Sequence, residues 1–234
     1  MKNMIASGTL ALAMAISGNA FAEDRQAGQA GQAPTIRTLS GATATTQLTA
    51  KQTAVIVIDI QNEYFPGGKM PIPDGMQALQ NSKRIVEHAH KNGMPVFFVQ
   101  HLGAADGPLF AKGSRFADFH KDLQPGKNDR VITKATPSSF VGTDLQQQLD
   151  ALGIKQLIVT GLMTHMCVSS TARDAVPLGY AVIIQEDATA TRDLATWDNK
   201  VVDHKVLQQS ALAGVADVFA EIKTTDAVLA LPLH

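Results

Sequence analysis

Two apolar rhythms alternate along the chain. Ala54-Val55-Ile56-Val57-Ile58-Asp59-Ile60 is a near-continuous β-branched run, the pattern of a strand covered on both faces. Met76 to Lys91 then places Leu79, Ser82, Val86 and Ala89 on one stripe, which predicts a helix closed at Gly93. The same alternation continues to the end of the chain. Strands are predicted at Pro95–Val99, Arg130–Thr133, Gln156–Thr160 and Ala181–Glu186, and a last short one at Val215–Phe219. Between them, helices are predicted from Thr143-Asp144 to Leu152, from Met166 to Leu178 and from Lys200 to Leu212. Alternating strands and helices imply right-handed crossovers and a parallel sheet with helices on both faces. Residues 102–129 carry Gly103, Gly107, Pro108, Gly113, Pro125 and Gly126 and read as a loop, long enough to expect a functional role.

The two ends of this pattern differ from its middle. Met1-Lys2-Asn3 is followed by an uncharged apolar stretch from Met4 to Ile16, then Ala20-Phe21-Ala22 and the acidic Glu23-Asp24. A short apolar core closed by a small-x-small site is the pattern of a cleaved secretory signal, here residues 1–22, with Glu23 as the first mature residue. Residues 23–50 are rich in Ala, Gly, Gln and Thr and read as a leader with little surface to bury. The folded domain is expected to run from residue 51 toward 234, with its core ending near 228.

Composition narrows the function. The chain has 234 residues, 45% of them hydrophobic, and a net charge of −1, which suits one core. That charge offers no electrostatic footprint for nucleic acid. No apolar run reaches the roughly 18–20 residues of a membrane span, so no membrane contact is expected after signal cleavage. A single cysteine excludes an intramolecular disulfide and a cysteine-rich zinc site.

Three residues stand where such a sheet does chemistry, at the carboxyl ends of strands. Asp59 ends the first strand among apolar neighbours, where a carboxylate needs a partner or a task. Lys134 ends the third. Cys167 follows the fourth, in Gly161-Leu162-Met163-Thr164-His165-Met166-Cys167-Val168, near the start of a helix whose dipole favours a thiolate. A lysine beside it would lower the thiol pKa further.

With these residues in place, the chain resembles the isochorismatase-like cysteine hydrolase superfamily, which includes nicotinamidases and N-carbamoylsarcosine amidases. The matching stretches are Val57 to Asn62, Ile132 to Phe140, Gly142 to Leu145, Gly161 to Val168, Ser170 to Ala175 and Asp187 to Thr191. The resemblance covers residues 53–222 and implies a Rossmann-like doubly wound sheet, mostly parallel, of six strands in the order 3-2-1-4-5-6. It implies an Asp59–Lys134–Cys167 triad and a backbone oxyanion hole at Met163 and Cys167, with a cis peptide at Leu162-Met163. Gln61, Tyr64, Phe65, His101 and His165 are the candidate pocket residues; Phe116 and Trp197 could also line it. Nicotinamidases carry an Asp-x-His metal cluster. Here the strand ends Val99-Gln100-His101-Leu102-Gly103, so neither metal nor other cofactor is expected. The presence of the cysteine points to amide or ureide C–N hydrolysis of a small molecule by a homo-oligomeric, periplasmic or secreted enzyme. The alternatives are vinyl-ether hydrolysis of the isochorismatase kind and a non-catalytic binding protein on the same fold.

Overall fold

The computed structural model describes residues 33–234. The predicted signal segment and the leader as far as residue 32 lie outside these residues. The leader's remainder is structured. Helix α1 (Ile36–Leu39) is followed by strand β1 (Thr53–Ile58), helix α2 (Gly75–Lys91) and strands β2 (Val96–His101) and β3 (Arg130–Lys134). Helix α3 (Leu145–Ala151), strand β4 (Gln156–Leu162), helix α4 (Ser169–Ala175) and strand β5 (Ala181–Ala190) follow. The chain closes with the hairpin β6 (Leu194–Ala195) and β7 (Val201–Val202), helix α5 (His204–Ala216), strand β8 (Glu221–Lys223) and helix α6 (Thr225–Leu229).

Six strands form one sheet in the order β3-β2-β1-β4-β5-β8, every pairing parallel. This is the doubly wound α/β arrangement that the resemblance implied. All six residues of β1 are buried, as its unbroken apolar run requires. Its side chains divide by alternation: Val55 and Val57 join one core with Leu79 and Val86 of α2, while Ile56 and Ile58 join the other with Leu145, Ala172 and Leu212 of α3, α4 and α5.

Several predicted elements shift. The sixth strand lies at Glu221–Lys223, not Val215–Phe219; Val215 is a buried helical residue of α5. That helix runs His204–Ala216 rather than Lys200–Leu212, because Asp203 caps its start by accepting from Lys205 N at 2.8 Å. The helix predicted from Met166 begins as a π-helical turn, Thr164–Val168, and continues as α4 only to Ala175. The leader also buries more than its composition suggests. Leu48 is a core residue, and it donates to Pro232 O and accepts from His234 N, so the segment near residue 48 and the tail hold each other. The described fold therefore begins before residue 51, where the domain was expected to start, and its packing reaches the tail.

The register sets the strand ends side by side. Ile58 pairs with Gly161 and His101 with Lys134, so the residues just beyond β1, β3 and β4 share one edge of the sheet. Gly161 is required there: its φ is +114°, and a Cβ would sit 2.0 Å from the Ile58 carbonyl oxygen. At Gly153, φ is +68° but a Cβ would meet nothing within 4 Å. Gly153→Ala should therefore cost about 1–2 kcal/mol, the strain of a left-handed residue alone. Gly161→Ala should cost more than about 3 kcal/mol, because backbone must also move. Urea unfolding of the two variants checks this, and equal costs would contradict it.

Candidate active site

Strand β1 ends at Ile58, and Asp59 turns the chain out of the sheet with φ +51°, a conformation Asp tolerates better than most residues. Its backbone N–H still bonds Val99 O at 3.0 Å, which fixes the carboxylate over the strand ends. Lys134 is the last residue of β3, and its side chain runs back over β2 toward Asp59. The Nζ–Oδ2 distance is 2.8 Å, and neither side chain is exposed. Cys167 lies on the π-helical turn after β4, 4% exposed, with its Sγ 3.3 Å from Lys134 Nζ. The three predicted catalytic side chains thus meet in one buried cluster. The Leu162-Met163 peptide is cis, and Met163 is buried where the strand enters the turn.

The Lys134 ammonium has two further neighbours, His101 Nδ1 and Thr136 O, each at 3.1 Å. His101 was expected as a pocket wall; the structure puts it against the lysine. Gln61, also placed in the pocket by the sequence, spends its amide elsewhere. Its Nε2 donates to His101 O at 2.8 Å and Ala117 O at 2.7 Å, and its Oε1 accepts from His101 N at 2.8 Å. It is a clamp on the β2 end. Tyr64 is buried, with its ring edge-on to Phe110 at 5.0 Å. Burial, and next the Asp59 and Cys167 charges, push its phenol far above the usual range. Phe65 packs in the core against His120, at a centroid distance of 4.5 Å. His165 rides on the π turn, and its Nδ1 meets Thr191 Oγ1 at 2.5 Å. Trp197 lines nothing among the described residues: it is 97% exposed at the tip of the β6–β7 hairpin. Phe116 sits under the cations of Lys69 and Arg115.

Sequence reasoning missed two supports. Glu63 is fully buried, and its carboxylate accepts from Lys69 N at 3.0 Å and Phe110 N at 2.8 Å, pinning the long 102–129 loop over the site. The visible signal was a charged residue inside Asn62-Glu63-Tyr64-Phe65. Thr171 of α4 accepts from Ser139 N at 3.0 Å, tying the segment after Lys134 to the helix after Cys167.

The electrostatics depart from expectation in one respect. The thiol of Cys167 is not lowered but pushed up to about 12. Burial is the largest cause and the nearby Asp59 charge the next, and together they outweigh Lys134. Burial also raises the Asp59 carboxyl above its usual range, with Lys134 opposing. Burial disfavours the anion of both groups, and a proton passing from sulfur to carboxylate exchanges one buried anion for the other beside one cation. Ligand atoms of Asp59, His101 and Cys167 lie within 4.8 Å of one another, a spacing that could hold a metal ion. Lys134 Nζ contacts all three, so an ammonium takes a cation's place among these donors. A second group, Asp193, Asp203 and His204, lies at the surface. Clefts of about 620 Å³ beside β5 and α5 and about 690 Å³ beside the start of β2 do not include the triad in their walls. The triad's chemistry and its seclusion, not cleft size, make it the candidate site.

A buried Cys–Lys–Asp cluster thus lies at the carboxyl edge of a doubly wound sheet. The family model named Isochorismatase domain matches residues 53–227, and the chain belongs to that family. It is similar to the uncharacterized isochorismatase family protein YddQ of Bacillus subtilis, with 39% identity over 76% of this chain and 98% of YddQ. It is 31% identical to the ureidoacrylate amidohydrolase RutB of Acinetobacter baylyi, over 67% of this chain and 78% of that protein. The crystal structure of an isochorismatase from Pseudomonas putida superposes with TM-score 0.77 and 35% identity, covering 82% of this chain and 97% of that one.

The charge arrangement predicts opposite responses at sulfur. Asp59→Asn removes a charge that raises the thiol pKa and should move it down from about 12. Lys134→Met removes the charge that opposes the rise and should move it further up. Thiolate absorbance followed against pH reads both shifts, and the same direction in both variants would contradict the assignment.

Proposed function

We propose that the protein hydrolyses an amide or ureide C–N bond of a small molecule through a thioester on Cys167. The observation that carries this reading is Lys134 Nζ, held 2.8 Å from the Asp59 carboxylate and 3.3 Å from the Cys167 sulfur. A nucleophile, its base and a shared cation are then gathered in one cluster. In this mechanism Sγ attacks the carbonyl carbon while the thiol proton passes to Asp59. Negative charge gathers on the carbonyl oxygen, which the backbone N–H groups of Met163 and Cys167 would receive. When the intermediate collapses the C–N bond breaks, and the Asp59 proton goes to the departing nitrogen. Water then adds to the thioester carbon and yields its proton to Asp59. The C–S bond breaks, the carboxylic or carbamic acid leaves, and sulfur recovers the proton. The relative named as a ureidoacrylate amidohydrolase supports C–N chemistry of this kind.

Export and self-association belong to the same reading. Ala20-Phe21-Ala22 after a short apolar core supports a periplasmic or secreted protein beginning at Glu23. N-terminal sequencing of the soluble protein should find that residue, and Met1 there would overturn the proposal. The exposed Trp197, Val201 and Val206 support a homo-oligomer, which light scattering would read as a mass of two chains or more.

A panel of small amides, ureides and lactams tests the chemistry. On any substrate found, Cys167→Ser and Asp59→Asn should each lower kcat by at least about a thousandfold, and the double variant should be little worse, because the groups act as a unit. Hydroxylamine should trap the acyl group from the wild type and not from Cys167→Ala. Wild-type turnover by Cys167→Ala would remove the mechanism. Activity should also survive exhaustive chelation, since Lys134 supplies the positive charge; loss restored by zinc or manganese would contradict this.

A further inference from the structure

Lys134 Nζ carries three N–H bonds and has four acceptors around it: Asp59 Oδ2 at 2.8 Å, His101 Nδ1 and Thr136 O at 3.1 Å, and Cys167 Sγ at 3.3 Å. Two of the four, the imidazole nitrogen and the carbonyl oxygen, can stay neutral throughout a reaction. The other two exchange a proton during it. Three donors cannot satisfy four acceptors at once, so the neutral pair decides how the ammonium is oriented toward the reactive pair.

We propose that His101 is a positioning residue for the reaction: its bare Nδ1 and the Thr136 carbonyl hold two of the Lys134 N–H bonds, so that the third swings between the Asp59 carboxylate and the Cys167 sulfur. In the resting site the ammonium keeps ion-pair contact with Asp59 Oδ2 at 2.8 Å while the sulfur lies within hydrogen-bond reach at 3.3 Å. As the sulfur gives its proton to Asp59 and becomes a thiolate, the same N–H turns to the sulfur. The ammonium never leaves its seat, so the negative charge moves with little rearrangement of its surroundings. This proposal rests on the cysteine-hydrolase reading above and adds to it the element that aims the cation.

The rest of the structure holds the imidazole in place for that work. Gln61 grips both backbone groups of His101 at 2.8 Å, and the Phe110 ring lies 5.1 Å from the imidazole centroid. The charged or titratable groups around the ring come from three elements: Lys134 of β3, Asp59 after β1 and Cys167 on the π turn. Burial, then the Lys134 charge, hold the imidazole below its usual pKa, and Asp59 opposes them less. A neutral ring with Nδ1 as acceptor carries its proton on Nε2, which has no hydrogen-bond partner among the described residues. Protonating Nδ1 would set an N–H against the ammonium 3.1 Å away and remove one of its two neutral anchors.

The tautomer and the aim of the cation can both be read without a substrate. Nitrogen-15 NMR of imidazole-labelled wild-type protein at pH 7.5 should show His101 with a bare Nδ1 and a proton on Nε2. It should remain so when the pH is taken below the ordinary histidine value of 6.5. Iodoacetamide is the probe for the second reading, with alkylation of Cys167 followed by intact mass at pH 7.5. His101→Leu, which keeps bulk and removes the acceptor, should alkylate at least about tenfold more slowly, the loss expected for one hydrogen bond to a charged group. His101→Asn places Oδ1 where Nδ1 was and should recover the rate to within about threefold of wild type. A proton on Nδ1 at pH 7.5, a Leu variant as fast as wild type, or an Asn variant as slow as Leu would each overturn the proposal. The NMR result needs no variant to fold and no turnover, so its failure is separate from a failure of the hydrolase reading.

Discussion

The structure is organised around a buried ion pair. Lys134 and Asp59 face each other at 2.8 Å with no exposure of either side chain, at the edge of an otherwise apolar sheet. Taking two charges out of water costs several kcal/mol per ion, and their attraction offsets that only when geometry is good and other polar contacts help. The fold supplies that help. His101 and Thr136 give the ammonium two further acceptors, Gln61 fixes His101, and Ser139 with Thr171 fixes the segment that Lys134 enters. Each contact is a local cost of keeping charge inside, and together they leave the Cys167 sulfur as the cation's remaining neighbour.

The same constraint explains why the thiol rests protonated. A cysteine beside a lone lysine would be acidified. Here the lysine is already committed to a carboxylate, burial disfavours a second anion, and the thiol is pushed up to about 12. Reactivity then comes from having the base in contact rather than from a standing thiolate. Protein packing makes this workable: the Asp59 and Lys134 side chains have no exposure and Cys167 is only 4% exposed. There a proton can move between two groups that burial holds above their usual range.

Much of this was legible in the residues. Val55 to Ile58 could only be a strand covered on both faces, and a carboxylate directly after it demanded a partner. The partner itself was less visible, since a lysine at a strand end usually faces solvent; the run from Ile132 to Phe140 and its family resemblance named it. Three things escaped, each decided by three-dimensional packing. The last strand lies six residues beyond its expected start because Val215 to Phe219 is apolar enough for either state, and α5 runs through Ala216 with Val215 buried on it. Gln61 is a pocket candidate by sequence, yet its amide bonds the backbone of His101 at the end of β2. The thiol shift was given the wrong sign because helix dipole and lysine charge can be read from sequence, whereas the depth of burial cannot.

The central claim is that Asp59 and Lys134 are tolerated inside only as a pair, and a double-mutant cycle on folding stability tests it most directly. Lys134→Met should cost about 3–5 kcal/mol alone, because it leaves a carboxylate buried without its counter-ion. Combining it with Asp59→Asn should recover at least half of that cost, with a coupling well outside the error of urea unfolding. Costs that simply add would contradict the account, since two residues whose losses are independent cannot be the pair on which the site is built.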